Sequence, residues 1–210
     1  MIIAVVNETS AGDKNSAVVN ALMKHGTIIN AGMKKSGGDP ELTYIETGLL
    51  SALLLNAGRA DLVVGGCGTG QGYLNSVMQY PGVFCGLIES PLDGWLFRRI
   101  NGGNCISLAL NKGYGWAGDV NLEIIFDYMF KAENGSGFPE HRAESQAKSR
   151  NMLTKISASS HISFDKILKA LDPGILKNTL TFPGVREIID VDSLAKGPLK
   201  ETITELYMNL

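Results

Sequence analysis

The residue types best suited to chemistry stand together in the segment Gly66-Cys67-Gly68-Thr69-Gly70-Gln71-Gly72. A thiol and a hydroxyl alternate here with four glycines, between an apolar run and a short helical pattern. Glycine lets the backbone turn so that several N–H groups face one ligand, and a cysteine at a helix N-terminus is expected to have a lowered thiol pKa. The segment therefore predicts a thiolate beside amide groups that could stabilise an oxyanion.

Two familiar phosphate-binding loops do not fit this segment. A Walker A loop would continue with Gly-Lys-Ser/Thr, and a dinucleotide fingerprint would need glycine at Tyr73 and would follow the first strand. The remaining alternative is a tight turn around a buried, inert cysteine, which so many glycines do not favour. Cys85 and Cys105 stand inside apolar runs, so we expect them to be inert core thiols.

Composition excludes several classes of function. A formal net charge of −2 offers no broad basic surface for nucleic acid or for an anionic membrane. No run approaches the roughly 18 apolar residues that span a bilayer. Three cysteines without framework spacing, and an N-terminus without a basic segment, indicate a cytoplasmic protein. No cluster shows metal-ligand spacing, and we expect neither metal nor cofactor.

Apolar runs and helical patterns alternate along the first 132 residues. This order predicts an α/β fold, a Rossmann-like three-layer sandwich around a five-stranded parallel sheet. Ligands of such sheets bind beyond the carboxyl ends of the strands, so residues 7–9, the Cys67 segment, residues 89–91 and the Asn111 region are expected on one rim. The predicted strands are 2–6, 27–30, 62–65, 83–88 and 105–110, and the predicted helices are 15–24, 44–57, 73–78, 92–100 and 120–131.

The pattern changes after residue 132. A glycine-rich break leads to a polar helical pattern at 140–153, a short amphipathic one at 163–171 that ends at Asp172-Pro173, and a last one at 199–207. This tail is too small to bury a core of its own. We therefore divide the chain into a Rossmann-like domain at 1–132 and a mainly helical extension at 133–210, which packs on the domain or on a second subunit.

Over residues 2 to about 132 the chain resembles the ribose-5-phosphate isomerase B and galactose-6-phosphate isomerase family. The most specific match is Cys67-Gly68-Thr69-Gly70 with Gly72. Weaker matches are Ile3-Ala4, Tyr44, Pro81-Gly82-Val83, Ser90-Pro91 and residues 98–104. The resemblance implies aldose–ketose isomerisation of a small phosphorylated sugar by a homodimer, or a dimer of dimers, with sites between subunits.

The resemblance also implies residue roles. Cys67 would be the base that moves a proton between C1 and C2 through a cis-enediolate, with Thr69 beside it. Gln71 places the chain in the branch that uses cysteine, rather than in the branch with serine and glutamate. The substrate-binding positions implied are Glu8, Thr9, Tyr44, Gly68, Gly70, Gln71, Gly72, Asn101, His141 and Arg142.

Two family histidines are absent. Thr9 replaces the histidine that meets phosphate, and Ile100 replaces the histidine that opens the cyclic sugar, next to the matching Asn101. A four-carbon sugar phosphorylated on O4 stays open, so we expect preference for a linear substrate such as a tetrulose 4-phosphate over ribose 5-phosphate. The rival explanation is that His141 swings in from the tail. His141-Arg142 is also the best match to the family's phosphate-binding arginines, with Arg98 or Arg99 in reserve.

Two other functions remain open from the sequence. A non-catalytic phosphosugar-binding protein could keep the glycine-rich segment, although binding alone does not require a thiol. A thiol-redox protein would be expected to carry Cys-x-x-Cys or a nearby resolving cysteine, and neither is present.

Overall fold

The computed structural model describes residues 1–210 and is built around one sheet. All neighbouring strands are parallel, in the order β2-β1-β3-β5-β4. Residues on the two central strands β1 and β3 are buried, as expected for a sheet covered on both faces, with Ile2 as the exception. The predicted five-stranded parallel sheet is confirmed. The strands are β1 (Ile2–Asn7), β2 (Thr27–Asn30), β3 (Leu62–Cys67), β4 (Cys85–Ile88) and β5 (Cys105–Ala109).

Helices cover both faces of the sheet and complete the predicted three layers. Ala4 and Val6 point into one core of 26 buried residues, and Ile3 and Val5 point into a second core of 16, which is the alternation that a strand imposes. The first core lies against α2 and the second against α1 and α5. The helices are α1 (Asn15–Leu22), α2 (Tyr44–Asn56), α3 (Gln71–Val77), α4 (Pro91–Leu96) and α5 (Gly118–Lys131), with a 3₁₀ turn at Thr9–Lys14.

Two predicted boundaries differ from the structure for local reasons. Strand β4 begins at Cys85 rather than at 83, because the Phe84 amide donates to the side-chain oxygen of Asn104 (2.9 Å). The helix predicted at 92–100 ends as α4 at Leu96 and continues as a π-helical turn over Phe97–Asn101. The Phe97 ring lies where a Cβ on Gly86 or Gly103 would stand, so this turn is packed directly on the sheet.

The extension is helical, as predicted, but it has two helices that the sequence did not indicate. Asp172-Pro173 was interpreted as the end of a helix, whereas Asp172 caps α8. Its carboxylate accepts from the amides of Gly174 (2.8 Å) and Ile175 (3.2 Å), with Pro173 at the first helical position. The helices are α6 (Ala143–Ser160), α7 (Phe164–Ala170), α8 (Pro173–Leu180), α9 (Val185–Ile189) and α10 (Pro198–Asn209), with 3₁₀ turns at Glu140–Arg142 and Val191–Ser193.

The helices of the extension differ in how they are held. Leu168, Leu180 and Ile203 are buried in the same core as α2, and the Arg59 side chain donates to the carbonyls of Ile189 and Asp190 (both 2.8 Å). Helix α6, by contrast, has no buried residue. None of the helices is both long and apolar enough to cross a membrane.

Candidate active site

The candidate site lies where the chain changes direction across the sheet. From β1 the chain passes to β2 on one side, and β3 pairs with β1 on the other side. Asn7 pairs with Gly66, so Glu8, which follows β1, and Cys67, which ends β3, lie at the carboxyl ends of two neighbouring strands. A crevice of this kind is where open α/β sheets bind ligands.

Cys67 is the last residue of β3, and its free thiol is 6% exposed. Its carbonyl accepts from the Leu110 amide (3.0 Å), and the Gly68 carbonyl accepts from the amides of Asn111 and Lys112 (both 3.0 Å). The thiol is thus fixed by the strand behind it and by the chain leaving β5. The Cys67 side chain borders the first of the two cores.

The backbone beyond Cys67 presents free donors. The Gly68 amide donates to Ser10 Oγ (3.0 Å), but the amides of Thr69 and Gly70 have no acceptor within the chain. Gly70 has φ +76°, and a Cβ there would lie 2.6 Å from Leu87 Cδ1, so only glycine fits this turn. The two free amides at the start of α3 could stabilise negative charge on a substrate oxygen.

A hydrogen-bond network joins the neighbouring loops. The Ser10 hydroxyl donates to the Glu8 carboxylate, the Asn111 side chain donates to the Ser10 carbonyl (2.7 Å), and Glu8 itself is 4% exposed. Sequence reasoning included Glu8 among the site residues but missed Ser10, and it expected the Asn111 region only as part of the rim. The sequence signal for Ser10 was its place two residues after Glu8, the acidic residue that follows the first strand.

The other positions expected at this edge surround residues 66–72, which we call the thiol loop. Tyr44 begins α2, and its ring lies against Gly72, where a Cβ would be 3.2 Å away. The Thr9 amide donates to the Leu42 carbonyl (2.9 Å), and Gln71 is exposed at the first position of α3. The crevice is therefore bordered by a tyrosine and by small residues.

One cation is attached to the thiol loop. Lys112 follows β5, its amide bonds to the Gly68 carbonyl, and its ammonium pairs with Glu89 (2.7 Å) at the end of β4. No arginine makes a hydrogen bond to this loop.

Three predicted site residues lie away from the thiol loop in the structure. Asn101 ends the π-helical turn and precedes Cys105, the first residue of β5, so it lies at the amino edge of the sheet. Cys67 pairs with Ala109 at the other end of β5, and the four residue steps from Cys105 to Ala109 span about 13 Å of strand. His141 and Arg142 are exposed on the 3₁₀ turn before α6, and no hydrogen bond joins them to the thiol loop.

Asn101 lines a cavity of about 520 Å³ between α6 and the amino edge. Apolar side chains form most of its walls, among them Ile100, Leu153 and Ile156. Arg150 holds α6 in place, because its guanidinium donates to the carbonyls of Ile100 and Gly135 (both 2.8 Å). We call this cavity the α6 groove.

The remaining thiols are structural in their surroundings. Cys85 and Cys105 pair in register at the amino edge, and burial raises the pKa of the Cys85 thiol well above its ordinary value. Cys105 is fully buried and contacts the Tyr73 hydroxyl (3.5 Å), which also bonds to Ser51 (2.7 Å). No group of three or more His, Cys, Asp or Glu side chains is arranged to hold a metal ion.

Comparison with known proteins gives a family and two full-length structural relatives. Residues 3–136 match the family model described as Ribose/Galactose Isomerase. The structure is similar to a ribose-5-phosphate isomerase from Vibrio parahaemolyticus, with 35% identity, a TM-score of 0.91, and coverage of 100% of this chain and 99% of that chain. It is also similar to a 4-deoxy-L-threo-5-hexosulose-uronate ketol-isomerase complexed with a tartrate, with 33% identity, a TM-score of 0.93 and full coverage of both chains.

More distant structures share the fold. A ribose-5-phosphate isomerase B from Clostridium thermocellum is 21% identical with a TM-score of 0.60, and the match covers 77% of this chain and 100% of that chain. No match was found among curated protein sequences. The family model covers most of the chain, and the two full-length relatives exceed 30% identity. The chain therefore belongs to the ribose/galactose isomerase family and is a sugar isomerase.

Proposed function

We propose that this isomerase interconverts the aldose and ketose forms of a small, open-chain sugar with an anionic end, using Cys67 as the base. The observation that carries this proposal is the place of the Cys67 thiol, at the ligand-binding edge between Glu8 and two unbonded backbone amides. Proton transfer between neighbouring carbons needs one base and donors for the enediolate oxygen, and this edge offers both.

The chemistry would run in two proton transfers at carbon. The Cys67 thiolate takes the proton from the carbon beside the carbonyl, and charge moves onto the carbonyl oxygen. The amides of Thr69 and Gly70, and the Thr69 hydroxyl, stabilise that oxygen. The thiol then returns its proton to the neighbouring carbon, which completes the transfer at carbon.

The surroundings favour a phosphorylated sugar that needs no ring opening. Ile100, which stands where the resemblance places the ring-opening histidine, lines the apolar α6 groove and offers no acid or base. The Lys112 backbone is bonded to the thiol loop, and its ammonium, which pairs with Glu89, would turn to meet the phosphate. A linear tetrulose 4-phosphate fits both features.

A second candidate substrate is an open-chain uronate. One structural relative that matches the full length of this chain, extension included, is named a 4-deoxy-L-threo-5-hexosulose-uronate ketol-isomerase. A compound of that name has no hydroxyl at C4 and a carbonyl at C5, so it lacks the hydroxyls that usually close a sugar ring. Its carboxylate needs fewer donors than a phosphate, which suits a site with one lysine.

A second copy of the chain would complete the site. Asn101 lies about one strand length from Cys67, in the α6 groove. Helix α6 exposes Met152 (56%), Leu153 (51%) and Ile156 (53%), an apolar surface that a single chain leaves uncovered. We propose that a homodimer covers this surface and that its symmetry brings Asn101 of one subunit to Cys67 of the other.

The test is a turnover assay with D-ribose 5-phosphate, D-erythrose 4-phosphate and 4-deoxy-L-threo-5-hexosulose uronate. We expect the two open-chain compounds to be preferred, and Cys67→Ala to lower kcat by about 10²-fold or more. Cys85→Ala is the matched control, and it should retain activity. Alkylation should label Cys67 faster than the other thiols, and substrate should protect it. An active Cys67→Ala variant would refute the assignment of the base.

A further inference from the structure

Aldose–ketose isomerisation moves two protons, and Cys67 accounts for one of them. A carbon-bound proton passes between C2 and C1, and a hydroxyl proton must also pass between O2 and O1. The second transfer needs a group that can accept and donate a proton beside both oxygens. Glu8 directly follows β1 and is buried at the edge that carries Cys67.

The Glu8 carboxylate is unusual for a buried charge. It is 4% exposed, it has no ion pair with a basic side chain, and its side-chain partner in the protein is the Ser10 hydroxyl. Buried carboxylates are normally paired or bonded by several donors, since removing a charge from water is costly. A carboxylate left with one neutral donor at a ligand-binding edge keeps lone pairs for a substrate hydroxyl.

Ser10 links this carboxylate to the thiol loop. Its hydroxyl has one hydrogen, which goes to Glu8, and it accepts the Gly68 amide (3.0 Å) next to Cys67. The Ser10 carbonyl accepts from Asn111 (2.7 Å), which fixes the backbone from the other side. Ser10 therefore sets the position of Glu8 relative to the base.

We propose that Glu8 carries the hydroxyl proton between the two substrate oxygens and that Ser10 is the positioning residue for it. From the aldose, the Cys67 thiolate takes the C2 proton and O1 gains the charge. Glu8 takes the O2 proton and delivers it to O1, and the thiol then gives its proton to C1. Both side chains end as they began, and no co-reactant is needed. This proposal rests on the proposed function of Cys67.

Hydrogen exchange separates the two transfers. The probe is whichever compound of the three-substrate assay the wild-type enzyme turns over fastest, incubated in D₂O and followed by NMR. Ser10→Ala and Glu8→Gln should still exchange the C2 hydrogen through Cys67. Isomerisation should slow by about tenfold or more, because the enediolate returns to the starting sugar. The ratio of exchange to isomerisation should therefore rise by a similar factor.

Two variants keep the test decisive. Ser10→Thr retains a hydroxyl and should restore the wild-type ratio, and Ser16→Ala changes an exposed serine without a hydrogen bond and should not move it. The proposal would be overturned if both Ser10→Ala and Glu8→Gln kept the wild-type ratio of exchange to isomerisation, even if both rates were lower. Exchange that survives in Cys67→Ala would refute the proposed base instead, and the ratio in Ser10→Ala would still decide on Glu8.

Discussion

The two edges of the sheet carry different chemistry. At the carboxyl edge Glu8, Ser10, Gly68 and Asn111 are joined by hydrogen bonds into one polar crevice beside Cys67. At the amino edge Asn101 stands in a groove with mostly apolar walls, under a helix without buried residues. In the proposed homodimer, the amino edge of one chain would supply Asn101 to the carboxyl edge of the other.

The largest effect is expected from placing charges in the α6 groove, which tests whether the groove is the subunit interface. Leu153→Asp with Ile156→Asp places two carboxylates on an apolar surface, so we expect a monomer in sedimentation experiments. Loss of Asn101 from the partner's crevice should lower kcat by about 10²-fold. Circular dichroism should stay unchanged, because α6 contributes no buried residue to the core.

The matched control is Lys155→Asp, an exposed position of α6 that does not line the groove. It should leave both assembly and activity unchanged. A deletion from Met152 onward would be a poorer test, because it would also remove Leu168, Leu180 and Ile203 from the core. A double variant that stays dimeric and fully active would show that the groove is not the subunit interface.

Mixing of variant subunits tests whether Cys67 of one chain and Asn101 of the other form one site. Cys67→Ala and Asn101→Ala should each be weakly active alone, but in a mixed dimer one of the two crevices receives both native residues. With random exchange, half of the dimers are mixed, so activity should recover to about a quarter of the wild-type value. Absence of recovery, with mixed dimers present in native mass spectra, would place both residues in the site of one chain.

A third, smaller effect concerns the substrate. Ile100→His adds an acid and base beside Asn101, so we expect kcat/KM for ribose 5-phosphate to rise by about tenfold while open-chain compounds are unaffected. His141→Ala is the control, because His141 is exposed on the turn before α6 and makes no hydrogen bond to the thiol loop. Efficient turnover of ribose 5-phosphate by the wild type that disappears in His141→Ala would favour a relocated histidine.

The sequence predicted the carboxyl edge better than the rest because local patterns determine it. Apolar runs identify the strands, parallel topology brings their ends together, and the spacing of glycines marks the Cys67 loop. The contact of Ser10 with Gly68 joins residues 58 positions apart, and no local pattern records such a pair. Helix α8 was missed because Asp-Pro can end one helix and begin the next.

The role of Asn101 was harder to predict than its position. The predicted helix at 92–100 and strand at 105–110 already place it before β5, at the amino edge, but no local pattern shows whether it can reach Cys67. Helix α6 posed a similar problem. Its polar pattern continues to Ser160, seven residues beyond the predicted end, and only the structure shows its apolar residues uncovered.

The prediction with the smallest expected effect concerns His25 at the amino edge, which we expect to be structural rather than catalytic. His25 lies between α1 and β2, bonds to Asp127 (3.1 Å) and stacks on Phe130 with ring centroids 4.5 Å apart. Burial lowers the pKa of His25, and this outweighs the opposite effect of Asp127. The folded chain therefore prefers the neutral imidazole.

In the unfolded chain a histidine titrates near its ordinary pKa of about 6.5, so below that pH the unfolded state binds a proton that the folded state resists. The contribution of His25 to stability is thus complete above about pH 6.5 and declines as the pH falls toward its lowered pKa. We expect Tm to decrease as the pH is lowered from 7.5 to 5.5, because protonation of His25 then favours the unfolded chain. The decrease should be smaller in His25→Gln, and it should persist in His141→Gln, whose side chain is exposed. An equal slope in all three proteins would show that His25 does not couple protonation to folding.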